Sequence, residues 1–272
     1  MAVRVVVEDI SPPDLAVLRF GLGAAVLLLV LGLRSPKQLQ VNRRDLPLLA
    51  LLGAIFFSAF PLSFNTALKF TEASRGAVVL ATLPAWSIIL GRFLAGERLR
   101  IRQIAGVALT VAGVGLAIGT TRTDAGSENA LLGDALMLLT AFLGALYGVL
   151  AQRALRSYPA PIVTTYAMAI GTILLLPAAL PGGFTGSHDV DGRAILLVLL
   201  LGIFGGALAF FLWTSALSQL SPTRVAVYLN LNPVVAALLG VVLLSEEAEP
   251  VFFVGFIAVV AGVYLVNAVP RD

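Results

Sequence analysis

ALKFTEASRGAVVLATLPAWSIILGRFLAGE, from Ala67 to Glu97, is followed 149 positions later by ALSQLSPTRVAVYLNLNPVVAALLGVVLLSE, from Ala216 to Glu246. The two stretches align without a gap. Ala67 and Leu68 recur as Ala216 and Leu217, Arg75 as Arg224, Ala77 as Ala226, Leu80 as Leu229, Pro84 as Pro233 and Gly91 as Gly240. The register continues through Gly106 and Gly255 to Gly113 and Gly262, and upstream Gly53 matches Gly202. An internal repeat constrains the architecture before any local propensity does. In a very apolar chain, a doubled unit is the pattern of a secondary transporter built from two halves.

Composition places the chain in lipid. Hydrophobic residues make up 59% and charged residues 12%, against roughly 25% charged in an average soluble domain. Mean hydropathy is +0.98. So few charges cannot cover a water-facing surface, and apolar runs of about 20 residues, the length that crosses a hydrocarbon core, recur along the chain. The basic balance (net charge +3) does not point to nucleic acid, because the cations sit in short connections and form no extended face. There is no cysteine, and the one histidine, His188, lies in a polar connection with no second histidine to share a metal. No cofactor and no metal are expected.

The reading gives complete spans at 14–33, 46–67, 73–95, 101–119, 131–154, 160–181, 193–218, 222–245 and 251–269. The segment Leu131 to Leu155 opens the second copy, and its counterpart falls before Met1, leaving Met1 to Ile10 as a stub. A full span needs about 20 residues, so a natural start further upstream is expected rather than a half-span ending at membrane depth. The fold expected is an all-α polytopic membrane protein. It has two inverted five-helix repeats, over 1–119 and 131–269, with nine complete spans plus the stub.

Inversion is read from charge. Lys and Arg mark cytoplasmic loops. One alternate set of connections carries Arg34, Lys37, Arg43, Arg44, Arg98, Arg100, Arg102, Arg153, Arg156 and Arg224, with Arg271 at the end. The other carries Glu8, Asp9, Asp14, Glu72, Asp124, Glu128, Asp189, Asp191, Glu246, Glu247 and Glu249. Only Lys69, Arg75, Arg122 and Arg193 go against the division. The C-terminus is therefore expected in the cytoplasm, in the cell membrane. Glu97-Arg98-Leu99-Arg100 corresponds to Glu246-Glu247-Ala248-Glu249, so equivalent corners are basic in one copy and acidic in the other.

Polar and aromatic side chains inside the spans are the candidate cavity lining: Asn65, Trp86, Tyr147, Tyr228, Asn230 and Asn232. Asn230 and Asn232 precede Pro233, where a broken helix frees carbonyls. They also have a plainer reading as helix-to-helix glue, at about 0.6 kcal/mol per bond. For Tyr147, and for Tyr166 and Trp213, interfacial anchoring competes with a place in the cavity. Pro84 and Pro233 are hinge candidates. Each removes an intrahelical bond and clashes with a carbonyl one turn back, though proline also simply shapes spans. Arg19, inside span two, either snorkels to a headgroup or faces the cavity, where it favours a carboxylate or phosphate. No Asp or Glu lies mid-span, so a proton-coupling relay has no carrier in the sequence. Gly106 with Gly113, and Gly255 with Gly262, stand seven apart as packing stripes that could also serve a homodimer.

The doubled pattern resembles the drug/metabolite transporter superfamily, specifically EamA-type permeases. The resemblance rests on Ala73 to Ala77, Pro84, Gly91, Gly96-Glu97-Arg98, Gly106 and Gly113, on their counterparts Pro222 to Ala226, Pro233, Gly240, Glu246-Glu247, Gly255 and Gly262, and on Leu18-Arg19-Phe20. It implies ten spans in two inverted halves around a central cavity, with the fifth helix of each half outside it. It also implies a permease for small metabolites such as amino acids, most often an exporter. Its partners would be the bilayer and a small-molecule substrate. An intramembrane enzyme would need a nucleophile with a base, or paired acids at depth, and the sequence offers neither. A non-transporting scaffold or partner-dependent subunit is the alternative, against which the internal duplication argues.

Overall fold

The computed structural model describes residues 12–71, 73–97, 100–118, 130–179, 192–232, 234–235 and 250–268. These residues are mostly helical, with no strand among them. In lipid a backbone must satisfy its own donors and acceptors, and a helix does so within one segment. The stub, His188, Pro233 and the Glu246–Glu249 corner lie outside the described residues.

The helices, in chain order, begin with α1 (Pro12–Arg34). Next comes α2, which runs as Leu46–Gly53, a π-helical turn Ala54–Ala59, and Phe60–Ala67. Then follow α3 (Ala73–Leu80), α4 (Leu83–Leu94), α5 (Ile101–Ile118), α6 (Ala130–Leu155) and α7 (Ala160–Ala179). The α8 helix runs as Gly192–Leu200, a π-helical turn Leu201–Leu208, and Ala209–Gln219. Two more follow: α9 (Pro222–Val227) and α10 (Pro250–Asn267). Among the described residues seven helical stretches are long and apolar enough to cross a membrane, and a shorter apolar one covers Ile101–Leu116. The span expected at 222–245 is described only in its first part. The chain is a polytopic helical membrane protein. Outward-facing Phe253, Ile257 and Tyr264 on α10, each at least 46% exposed, suit lipid and not water.

Helix ends follow local rules. Asp14 sits in the first turn of α1 and Arg34 in its last, each opposing the macrodipole. The α4 helix stops because Gly96 takes a left-handed φ of 68°. That turn lets the Glu97 N–H return to the Gly91 carbonyl at 3.0 Å, which also accepts the Ala95 N–H at 3.1 Å. The Glu97 side chain folds over bare Gly91, and burial raises its carboxyl pKa.

The chain forms two compact units that interleave the sequence. One holds the described residues up to Leu62 with Leu150–Gln219; the other holds Ser63–Val149 and the described residues from Leu220 onward. Each unit therefore draws equivalent helices from both copies of the repeat.

In the first unit α7 packs on α1 and α2. Bare Gly53 and Gly171 lie back to back, so a Cβ on Gly53 would stand 2.9 Å from the Gly171 nitrogen. The same contact recurs in the other copy. At the equivalent positions Gly202 and Leu22, a Cβ on Gly202 would stand 2.9 Å from the Leu22 Cβ. Phe20, Phe56, Phe57 and Phe210 interlock edge to face at 5.1–5.7 Å between centroids. Outside the spans, the Tyr158 hydroxyl donates to Asp45 Oδ2 at 2.6 Å and accepts from the Asn42 N–H at 3.0 Å. The bond to Asp45 raises the tyrosine pKa.

In the second unit α5 crosses α10. A Cβ on Gly106 would stand 2.8 Å from the Gly262 carbonyl oxygen, and one on Gly113 would stand 2.8 Å from that of Gly255. An early glycine on one helix meets a late glycine on the other, so the two helices run antiparallel. They are also sequence equivalents. The glycine stripes are thus used within the chain.

Candidate functional site

The span around Pro84 is broken, as proline at that depth predicts. The α3 helix ends at Leu80 and α4 restarts at Leu83, with Pro84 buried in its first turn. Across the break Ala85 donates its N–H to the Thr82 carbonyl at 2.8 Å, so it no longer donates to Ala81 one full turn back. The Ala81 carbonyl is left over, and in a membrane it needs a donor.

Asn230 supplies it. Its Nδ2 donates to the Ala81 carbonyl at 3.1 Å and to Thr110 Oγ1 at 3.0 Å, with Asn230 only 2% exposed. Ala81 and Asn230 are equivalent positions, 149 apart. Asn230 itself ends a short 3-10 turn, Tyr228–Asn230, that interrupts its own span after Val227. Both copies therefore lose α-helical pairing at the same place, and the side chain of one serves the backbone of the other. The glue role considered for Asn230 describes its contacts.

The remaining candidates in this unit differ in exposure. Trp86 packs on the buried cluster Leu83, Ala141, Ala145 and Ala226, edge-on to Phe142 at 5.5 Å. Tyr147 is fully buried, Asn65 is half-buried, and Tyr228 and Asn232 are exposed. Pro233 lies outside the described residues.

Arg19, in the first unit, does not run to the end of its helix. Its Nη2 donates to the Gly205 carbonyl at 2.6 Å, and the Phe20 and Phe210 rings stand 5.5 and 5.8 Å from its Cζ. Gly205 belongs to the π-helical turn of α8, and the equivalent turn of α2 covers Ala54–Ala59. Such turns gather at functional sites.

Several polar groups escaped the sequence reading. Thr110 sits buried in α5. Ser63 Oγ donates to the Leu136 carbonyl at 2.8 Å, and Thr140 Oγ1 donates to Ser63 Oγ at 3.0 Å. Arg75, counted as an exception to the charge rule, is paired with Asp134 at 2.5 Å. A single Ser, Thr or Arg carries no periodic signal, so only the packing identifies them.

Comparison with known proteins gives a consistent result. The model of the EamA-like transporter family matches residues 1–119 and again 131–268. An uncharacterised transporter of Archaeoglobus fulgidus is 32% identical over 98% of this chain and 91% of its own length. A "Probable terminal-alkyne amino-acid exporter" of Streptantibioticus cattleyicolor is 29% identical, covering 98% of this chain and 87% of that protein. A "Probable amino-acid metabolite efflux pump" of Escherichia coli is 29% identical over 93% and 89%. A solved crystal structure matches with a TM-score of 0.80 at 22% identity, over 94% of this chain and 87% of that one, which is a likeness of fold.

Proposed function

The chain belongs to the EamA-like transporter family and is a membrane transporter, and from that premise we propose that it exports small amino-acid-like metabolites. It does so by alternating access of two inverted halves in the cell membrane, with its C-terminus in the cytoplasm. The observation that carries this reading is the α5–α10 crossing. Equivalent helices that run antiparallel are what two oppositely inserted copies require, and the reciprocal contacts Gly53–Gly171 and Gly202–Leu22 support the same relation. The printed names of the Streptantibioticus and Escherichia relatives support the substrate class.

In this reading Asn65, Trp86, Tyr147, Tyr228 and Asn232 are the second unit's substrate-contact candidates, and Arg19 is the first unit's. Asn230 holds the Pro84 break in register from the equivalent span. Pro84 and Pro233 mark the paired positions about which the halves change conformation. The two breaks occur at matched places, so each half carries the same weak point, as alternation between two mirror states needs.

The test is flux in proteoliposomes. Wild type is expected to export a labelled amino acid with saturation, and Asn232→Leu to express normally while losing at least about tenfold in flux, the equivalent of about 1.4 kcal/mol. Unchanged flux in Asn232→Leu removes that residue from the path. Flux that never saturates in folded protein indicates a channel.

A further inference from the structure

Arg19 is the eighth residue of α1, about 10 Å from the helix start at 1.5 Å per residue. A cation at that depth is costly and needs compensation. Among the described residues Arg19 pairs with no carboxylate; its one hydrogen bond is the Nη2 donation to Gly205. Its Nε is buried with no acceptor. A guanidinium carries five N–H donors in a planar fork, and here one is used. The guanidinium lies against bare Gly205: a Cβ there would stand 3.3 Å from Nη2 and 3.5 Å from Cζ. The Phe20 and Phe210 rings lie beside it, and Phe56 and Phe57 extend the apolar wall.

A planar cationic fork short of acceptors, set among phenyl rings, suits an oxyanion attached to an apolar body. We infer that Arg19 receives the carboxylate of an amphipathic solute on its terminal nitrogens, with the solute body against Phe20 and Phe210. This rests on the transport reading above and names the substrate chemistry of that path. A lipid phosphate offers the same oxyanion, and the experiment separates the two sources.

The full chain, purified in detergent, is titrated with 3-phenylpropanoate and with its uncharged isostere 3-phenylpropanamide, read by tryptophan fluorescence. The acid is expected to bind at least about tenfold more tightly than the amide, as one charge-assisted hydrogen bond implies. Arg19→Gln is expected to remove that preference and Arg19→Lys to keep part of it. If Arg19→Gln fails to fold, Gly205→Ala crowds the guanidinium while leaving the charge in place, and is expected to weaken the acid but not the amide. Three results overturn the inference: equal acid binding by wild type and Arg19→Gln, no acid binding by folded wild type, or acid and amide binding alike. In the lipid arm, phosphatidylglycerol retained by wild type and lost in Arg19→Gln, with no acid preference, assigns the site to lipid and overturns the solute. Binding is read without flux, so failed transport sinks the transport reading while the acid–amide comparison still judges Arg19.

Discussion

Gly106→Leu is expected to lower the apparent melting temperature of the purified chain by on the order of 10 °C or to prevent its isolation as a monodisperse species. The reason lies in what the added side chain meets. Its Cβ would stand 2.8 Å from the Gly262 carbonyl oxygen and 3.0 Å from the Val266 nitrogen, both backbone atoms of α10. A flexible side chain can swing aside, but a helix backbone cannot, so α5 and α10 must separate. Separation exposes the buried cluster around Val114, Val259 and Val266, each 0% exposed. Overpacking of a well-packed site typically costs about 1–3 kcal/mol, and here a whole interface is displaced. Gly115→Leu on the same helix is the control, since a Cβ there meets nothing within 4 Å. Equal losses in the two variants would show that the crossing is not what the glycine protects.

Asp134→Ala is expected to destabilise the second unit by about 1–2 kcal/mol. Arg75 Nε donates to Asp134 Oδ1 at 3.0 Å and Arg75 Nη2 to Oδ2 at 2.5 Å, a two-pronged pair, and Thr71 Oγ1 adds a longer bond of 3.3 Å. Removing one partner of a fully buried pair costs about 3–5 kcal/mol because a charge is stranded. The side chains here are 33% and 20% exposed, so solvent screens part of that loss and the smaller figure applies. A double-mutant cycle in thermal unfolding measures the coupling, and the exchanged pair Arg75→Asp with Asp134→Arg is expected to recover part of the stability. A cycle that closes with no coupling would reduce the pair to a surface contact.

The legible part of this molecule was the part written in runs and repeats. Apolar stretches of spanning length marked the helices, and Pro84 marked a break that falls at Ala81–Thr82. The glycine stripes were visible as well, but that Gly106 meets Gly262 and Gly113 meets Gly255 requires knowing which helix lies opposite. Likewise Asn230 stood out as a polar residue in an apolar span. Its acceptor, the carbonyl of its own equivalent Ala81, becomes apparent only when the Pro84 break and the Asn230 side chain are brought together. The π-helical turns carried no compositional signature beyond the paired Gly53 and Gly202. The interleaved units were hidden for a similar reason, since tertiary pairing of α7 with α1 and α2 does not follow chain order.

The chain has no cysteine, so single Glu97→Cys and Glu246→Cys variants can be labelled in intact cells with a membrane-impermeant maleimide, with and without permeabilisation. Opposite insertion of the two copies predicts Cys at 246 labelled from outside and Cys at 97 only after the membrane is opened. Both corners reacting from the same side would contradict it.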